Sequence, residues 1–191
     1  MSDVEKEPAG LESWFAGDGA AAMRALGVEA GWRVLDFGCG PGRFAVPLAQ
    51  VVGPEGEVIA ADKKVLSIHR LRKNAQRWAA DGRLRVERRD AMDVLAEQSD
   101  GSLDAVLLFD VLQHIDELPA LLEELVRAVR PGGMAILYPS EGPHPGRVDV
   151  PGVSRQFEDR GFRRAGEARL RLPHAGHLTE DIVYLFSRAA D

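Results

Sequence analysis

From residue 32 onward the chain alternates short apolar runs with stretches of helical spacing, an order that few architectures accommodate. Residues 32–37 (WRVLDF) form an apolar run ending in glycines, and 43–52 behind them has helical spacing with Pro47 in an early turn. Residues 56–61 (GEVIAA) read as a second strand, 64–80 as a long basic helix and 84–88 as a third strand. The run 102–109 (SLDAVLLF) is almost continuously apolar toward its end, as strands covered on both faces are. Residues 117–129 place Leu118, Leu121, Leu122, Leu125 and Val129 on one stripe, stopped by Pro131-Gly132-Gly133, and 134–138 follow as strand five. After a Pro/Gly/His loop at 139–152 come a short helix near 153–160 and two strand-like runs, 162–172 and 181–187, with a Pro/His/Gly turn between them. Five β units alternating with helices predict an α/β fold, a doubly wound, mostly parallel sheet with helices on both faces.

A chain of 191 residues with no repeat and no linker is expected to form one domain, with residues 1–31 as an N-terminal helical segment and 32–187 as the core. Within 11–26, Leu11, Trp14, Phe15, Met23 and Leu26 recur at helical intervals, and Gly17 and Gly19 are expected to break the run. Trp14 and Phe15 suit a lid or core cover equally. The single cysteine, Cys39, excludes an internal disulfide framework and a multi-cysteine zinc site. No stretch approaches the roughly 20 apolar residues of a membrane span, and the first ten residues are acidic where a signal peptide is basic and then apolar. The expectation is a cytoplasmic protein with no membrane contact.

The most informative stretch is VLDFGCGPGRF, residues 34–44, where strand one meets its helix, since open α/β sheets bind ligands at that point. Gly38, Gly40 and Gly42 let a ligand lie against bare backbone, and the helix N-terminus behind them favours a polar or anionic group. Asp62, ending strand two, can accept both hydroxyls of a ribose. A dinucleotide fingerprint has its third glycine three residues after the second, but that position is Arg43 here and the third glycine is Gly42. The pattern Asp36-x-Gly38-x-Gly40-x-Gly42 instead resembles the Rossmann-like (class I) methyltransferases that use S-adenosyl-L-methionine.

That resemblance runs from about residue 32 to 138 and implies a seven-stranded sheet in the order 3-2-1-4-5-7-6, the last two runs forming a reversed hairpin. It implies that Asp36, Phe37, Gly38, Cys39, Gly40 and Gly42 hold the methionine end of the cofactor and that Asp62 binds the ribose. Lys63 stands beside the ribose acid at a position that varies in the family. Asp90 is implied to receive the adenine amino group, with the Ala91 amide nearby, and Phe109 to His114 to close over the sulfonium and face the acceptor. The Arg130–Gly133 turn before strand five is a further family habit. No Asn-Pro-Pro-Tyr motif follows strand four, which lowers amino-group methylation of adenine or glutamine.

Methyl transfer from a sulfonium is an in-line displacement, so positioning dominates, and a general base is needed only where the nucleophile holds a proton tightly. His114 is the best-placed base and Asp110 a candidate to orient the sulfonium or the acceptor. Tyr138 is an outside candidate. His144, His174 and His177 match no metal-ligand spacing and are expected to be solvent-exposed loop residues, and no metal is expected. The net charge of −6 disfavours a generally basic nucleic-acid binder, yet residues 63–89 carry ten Lys and Arg against Asp81 and Glu87, and 90–130 carry ten acids against Arg127 and Arg130. The leading reading is a methyltransferase acting on a small-molecule O, N or C nucleophile. Transfer to RNA or protein through the basic 63–89 face is the alternative, with a non-catalytic S-adenosylmethionine-binding module as another. A nicotinamide oxidoreductase loses on Arg43.

Overall fold

Seven strands form one sheet in the order β3-β2-β1-β4-β5-β7-β6. They are β1 (Arg33–Phe37), β2 (Glu57–Ala61), β3 (Leu84–Glu87), β4 (Leu103–Phe109), β5 (Val129–Tyr138), β6 (Phe162–His174) and β7 (His177–Arg188). The computed structural model describes residues 9–139, 148–174 and 176–190. The first eight residues, most of the 139–152 loop and His144 lie outside the described residues. β1 pairs in parallel with β2 on one side and β4 on the other, β4 pairs in parallel with β5, and β7 runs antiparallel to β5 and β6. The strand order therefore reverses beside β1, which opens a crevice at the carboxyl ends of β1 and β4.

The alternation of short apolar strands and amphipathic helices has a direct physical consequence. β1, β2 and β4 are buried along nearly their whole length, because helices cover both faces. On one face lie α1 (Ala9–Ser13), a π turn (Trp14–Asp18), α2 (Gly19–Ala25), α3 (Ala45–Val52) and α4 (Val65–Arg77), contributing Leu11, Met23, Leu48, Ile68 and Leu71 to the core. On the other lie α5 (Ala91–Ala96), α6 (Leu118–Ala128) and α7 (Val150–Glu158), contributing Val94, Leu121, Leu125 and Phe157. No helix of the described residues is long and apolar enough to cross a membrane.

The structure departs from the sequence expectations in four places. Gly17 is extended and kinks the N-terminal run, but Gly19 continues it: a Cβ there would lie 2.6 Å from Pro47 Cγ, so the missing side chain lets α2 approach α3. Helix α5 was not expected. It is six residues long, too short to show a period, and it starts because the Asp90 carboxylate accepts the Met92 N–H at 3.0 Å. The Arg130–Gly133 segment is part of β5, not a free turn; Gly132 has φ +73° and the β4–β5 register shifts between Leu103 and Ala105, so the segment is a bulge. The final hairpin is longer than expected and takes Pro173, His174 and His177 into its strands.

Trp14 and Phe15 are each 1% exposed, so they are core cover and no lid. Phe15 stacks on Trp78, and Trp14 packs edge-on against Phe44 while its Nε1–H donates to Arg43 O at 2.7 Å. Trp14→Ala is expected to destabilise the fold by about 3–5 kcal/mol, read from the urea unfolding midpoint. A loss below about 1 kcal/mol would contradict this packing.

Candidate functional site

β1 ends at Phe37, and the chain turns into α3 through Gly38, Gly40 and Gly42, all with positive φ. The Gly38 and Cys39 N–H groups both donate to Ala61 O, at 3.0 and 2.9 Å. The Gly40 N–H donates to Asp62 Oδ2 at 3.0 Å, and the Gly42 N–H to Cys39 O at 3.0 Å. Pro41 has no N–H. Residues 38–42 thus offer the crevice no backbone donor.

Two side chains that sequence reasoning missed fix the loop. Asn74 Nδ2 donates to Pro41 O at 3.0 Å, and Trp14 holds Arg43 O. The sequence signal for Asn74 is a polar residue on the buried stripe Ile68, Leu71 and Ala75 of α4. The glycines also differ in purpose. A Cβ on Gly42 would collide with Leu71, so that glycine serves packing, whereas a Cβ on Gly40 would meet nothing within 4 Å.

A cavity of about 720 Å³ opens at this end of the sheet. Phe37, Gly38, Cys39, Gly40, Asp62, Lys63, Asp90, Ala91 and Phe109 line it, as do Asp110 and His114; Asp36 and Gly42 stand behind the lining. Phe44, Ile115, Asp116, Glu117 and Pro173 also line it and were not anticipated. Asp62 accepts from Gly40 N through Oδ2 and from Lys64 N through Oδ1 at 2.7 Å. Asp90 accepts from Met92 N through Oδ1 and pairs with Lys63 Nζ through Oδ2 at 3.3 Å. Each carboxylate oxygen carries two acceptor sites, so both acids keep capacity for a ligand.

Asp36 is 1% exposed and its Oδ2 has no hydrogen-bond partner. Burial, then the Asp62 charge, raises its carboxyl from 3.8 to about 7, with the Ala45 N–H opposing. Burial also pushes the Cys39 thiol up, reinforced by Asp36 and Asp62, so a nucleophilic thiolate is disfavoured.

At the other end of the cavity, Asp110 follows β4 with φ +55°, and its N–H donates to Tyr138 O at 2.9 Å. Its Oδ2 meets His174 Nδ1 at 2.9 Å. His174 is therefore no solvent-exposed loop residue: it ends β6 and is drawn to the site by a hairpin whose reach the sequence did not reveal. His177 is exposed on β7, as expected of its exposure though not of its strand. His114 lies exposed on a 3₁₀ turn (Leu112–His114), and its ring has no hydrogen-bond partner among the described residues. Tyr138 is fully buried beside Phe109, and burial, with the Asp110 and Asp181 charges, pushes its phenol up.

Four of the ten basic residues of 63–89 have acidic partners. Arg77 pairs with Glu12, Arg85 with Glu87, Arg89 with Glu97 and Lys63 with Asp90.

The profile of the methyltransferase domain family matches residues 34–133, from β1 to the β5 bulge and more than half of the chain. The chain belongs to this family. The likeness to class I S-adenosylmethionine-dependent methyltransferases carried by residues 36–42 is thus that of a member. This methyltransferase-family chain is 32% identical over 121 residues to demethylmenaquinone methyltransferase of Geobacillus kaustophilus, a match covering 63% of this chain and 50% of that one. The chain spans about half the length of the curated relatives it matches. Among solved structures it resembles a SAM-dependent methyltransferase from Aquifex aeolicus, with TM-score 0.69, 19% identity and 89% of each chain covered. It also resembles a SAM-dependent O-methyltransferase from Thermotoga maritima, with TM-score 0.63, 18% identity, and 91% of this chain and 65% of that one covered. At these identities the two structures establish the family's fold and leave the acceptor open.

The Asp36 environment has a measurable consequence. The folded ligand-free chain keeps a proton on Asp36 up to about pH 7, whereas the unfolded chain, at 3.8, gives it up earlier. Over that window the folded state binds more protons, so this group's contribution to stability falls as pH rises and is lowest above it. Asp36→Asn removes the ionisation. Thermal melts across the window should show the variant gaining on the native chain as pH rises, by up to about 4 kcal/mol at the top. A gap that does not change with pH would contradict the assignment.

Proposed function

We propose that the chain transfers the methyl group of S-adenosyl-L-methionine to a small-molecule O, N or C nucleophile. The observation that carries this reading is the loop 38–42, whose backbone donors are all consumed within the protein while Asp36 and Asp62 stand at its edge. A dinucleotide's pyrophosphate needs such donors. A ligand bearing an ammonium and a sulfonium needs acceptors and negative charge, and the buried, unpartnered Asp36 Oδ2 fits such a group. The bare face of Gly40 fits it sterically.

On this reading the backbone from Asp36 to Gly42, with Phe37 and Cys39, holds the methionine end. Asp62 takes the ribose hydroxyls with the lone pairs that Gly40 and Lys64 leave over. Asp90 takes the adenine amino group, and the Ala91 N–H, first of α5 and without an intrahelical partner, lies beside it. Lys63 steadies Asp90 from the rim. When bound, S-adenosylmethionine supplies a methyl carbon already activated toward in-line displacement. The chain's own contribution is to orient the acceptor and keep water out, with Phe44, Phe109 and Val111 as dry walls and Asp110 and His114 as polar groups at the acceptor end. A cavity of about 720 Å³ has the size of a small-molecule site. The ion pairing across 63–89 gives a nucleic-acid acceptor little support.

Calorimetric titration with S-adenosylhomocysteine tests the assignment. Asp62→Ala should weaken binding about 10- to 100-fold, the loss of charge-assisted hydrogen bonds to two hydroxyls. Unchanged affinity would remove Asp62 from the ribose role. Incubating the chain and S-adenosylmethionine with a broad small-molecule extract should give a methylated product; cofactor binding without product would favour the non-catalytic module.

A further inference from the structure

The amino-terminal end of α4 carries a surface that methyl transfer to a freely dissolved acceptor does not need. Among the described residues, Val65 and Leu66 are the two large hydrophobic side chains that stay exposed, at 65% and 61% of their surface. They are adjacent, and the residues flanking them, Lys63, Lys64 and Ser67, line the cavity. The apolar pair therefore stands on the cavity rim. Nor is it an overflow of the buried stripe, which is Ile68, Leu71, Asn74 and Ala75. Leu66, Arg70, Lys73 and Arg77 follow one another at intervals of four, three and four, all exposed, and so share the outer face of the helix.

That outer face is cationic. Between Asp62 and Asp81 the sequence has no acid, while Lys63, Lys64, Arg70, Arg72, Lys73 and Arg77 all fall there. Asp90 pairs with Lys63 at the near end of the helix and Glu12 with Arg77 at the far end. The acids of α5 and α6, Asp93, Glu123 and Glu124, lie across the sheet, since these two helices cover its other face. Cations alone would suit any polyanion. The aliphatic pair narrows the choice, because single-stranded nucleic acid is gripped by rings that stack on bases, and Trp78 at the end of α4 is already stacked on Phe15. Two aliphatic side chains among Lys and Arg match the boundary of a bilayer, where headgroup phosphates lie above acyl chains. We propose that the outer face of α4 docks on an anionic lipid surface, with Lys64, Arg72 and Lys73 at the headgroups and Val65 and Leu66 reaching below them. Lying on a bilayer requires no spanning helix. The docking turns the cavity rim toward the lipid, and the Phe44, Phe109, Val111 and Ile115 walls fit an acceptor that dissolves in lipid. The acceptor class rests on the methyltransferase reading above; the docking does not.

The test is co-sedimentation of the full chain with vesicles of phosphatidylglycerol and phosphatidylcholine in equal parts, and with vesicles of phosphatidylcholine alone. The native chain should bind the anionic vesicles, less so as salt rises, and leave the neutral ones in the supernatant. Leu66→Ser should weaken vesicle binding about tenfold and Lys73→Gln about fivefold. Both side chains are exposed, so both variants should melt with the native chain and bind S-adenosylhomocysteine as it does. Anionic vesicles prepared from a cell-lipid extract should take up labelled methyl groups from S-adenosylmethionine into the organic-soluble fraction, and Leu66→Ser should slow that uptake. No binding to anionic vesicles, equal binding to neutral ones, or binding unchanged in Leu66→Ser would each overturn the docking. So would self-association in vesicle-free solution that Leu66→Ser abolishes, which would make the patch an interface between copies. Binding of a single-stranded oligonucleotide in place of vesicles would assign the cations to nucleic acid instead. Label confined to water-soluble product would overturn the acceptor class. Vesicle binding without any binding of S-adenosylhomocysteine would keep the docking and bring down the methyltransferase reading.

Discussion

Three consecutive backbone N–H groups, those of Gly38, Cys39 and Gly40, turn away from the cavity toward the end of β2. Two reach Ala61 O and the third reaches the Asp62 carboxylate, so the loop after β1 and the acid after β2 form one hydrogen-bonded unit. The rest of the site follows from that unit. Asp62 is fixed where a ribose can meet it, Asp36 is shut in behind the loop, and burial together with the Asp62 charge raises the cost of ionising Asp36. A neutral or anionic ligand leaves that cost in place, whereas a cation offsets it. The same sheet topology that elsewhere receives a pyrophosphate on open N–H groups here presents oxygen atoms.

The sheet divides the labour of the site. Strands β1 to β3 and their following loops carry Asp36, Asp62 and Asp90, all suited to one extended polar ligand. The ends of β4, β5 and β6 carry Asp110, Tyr138 and His174, whose contacts link three strands at the opposite end of the cavity. The antiparallel hairpin of β6 and β7 makes this possible. A parallel crossover would have returned the chain on a face of the sheet, whereas the hairpin carries Pro173 to the cavity lining and His174 to Asp110.

Most of the sheet was legible in the sequence because buried parallel strands read as apolar runs punctuated by glycine. The loop residues and Asp62 were legible because spacing within a tight turn is local information. What escaped notice was non-local or short. Helix α5 has six residues and declares itself only through the Asp90 cap. His174 looked like a loop residue because Pro173 and the following His and Gly signal a turn, and the pairing of Pro173 with Leu178 is a property of the hairpin. The direction of the loop's N–H groups was hidden for a related reason. Glycines say that backbone is bare, but where its N–H groups point depends on the neighbouring strand. The charge pattern is a property of segments, and contacts between segments, such as Arg89 with Glu97, offset part of it.

Direct binding of the two competing cofactors by calorimetry, under identical conditions and with the full chain, tests the central claim that this loop receives a cationic adenosyl ligand. The account predicts saturable binding of S-adenosylmethionine and none of NAD. Tight binding of NAD, with no heat from S-adenosylmethionine, would contradict it.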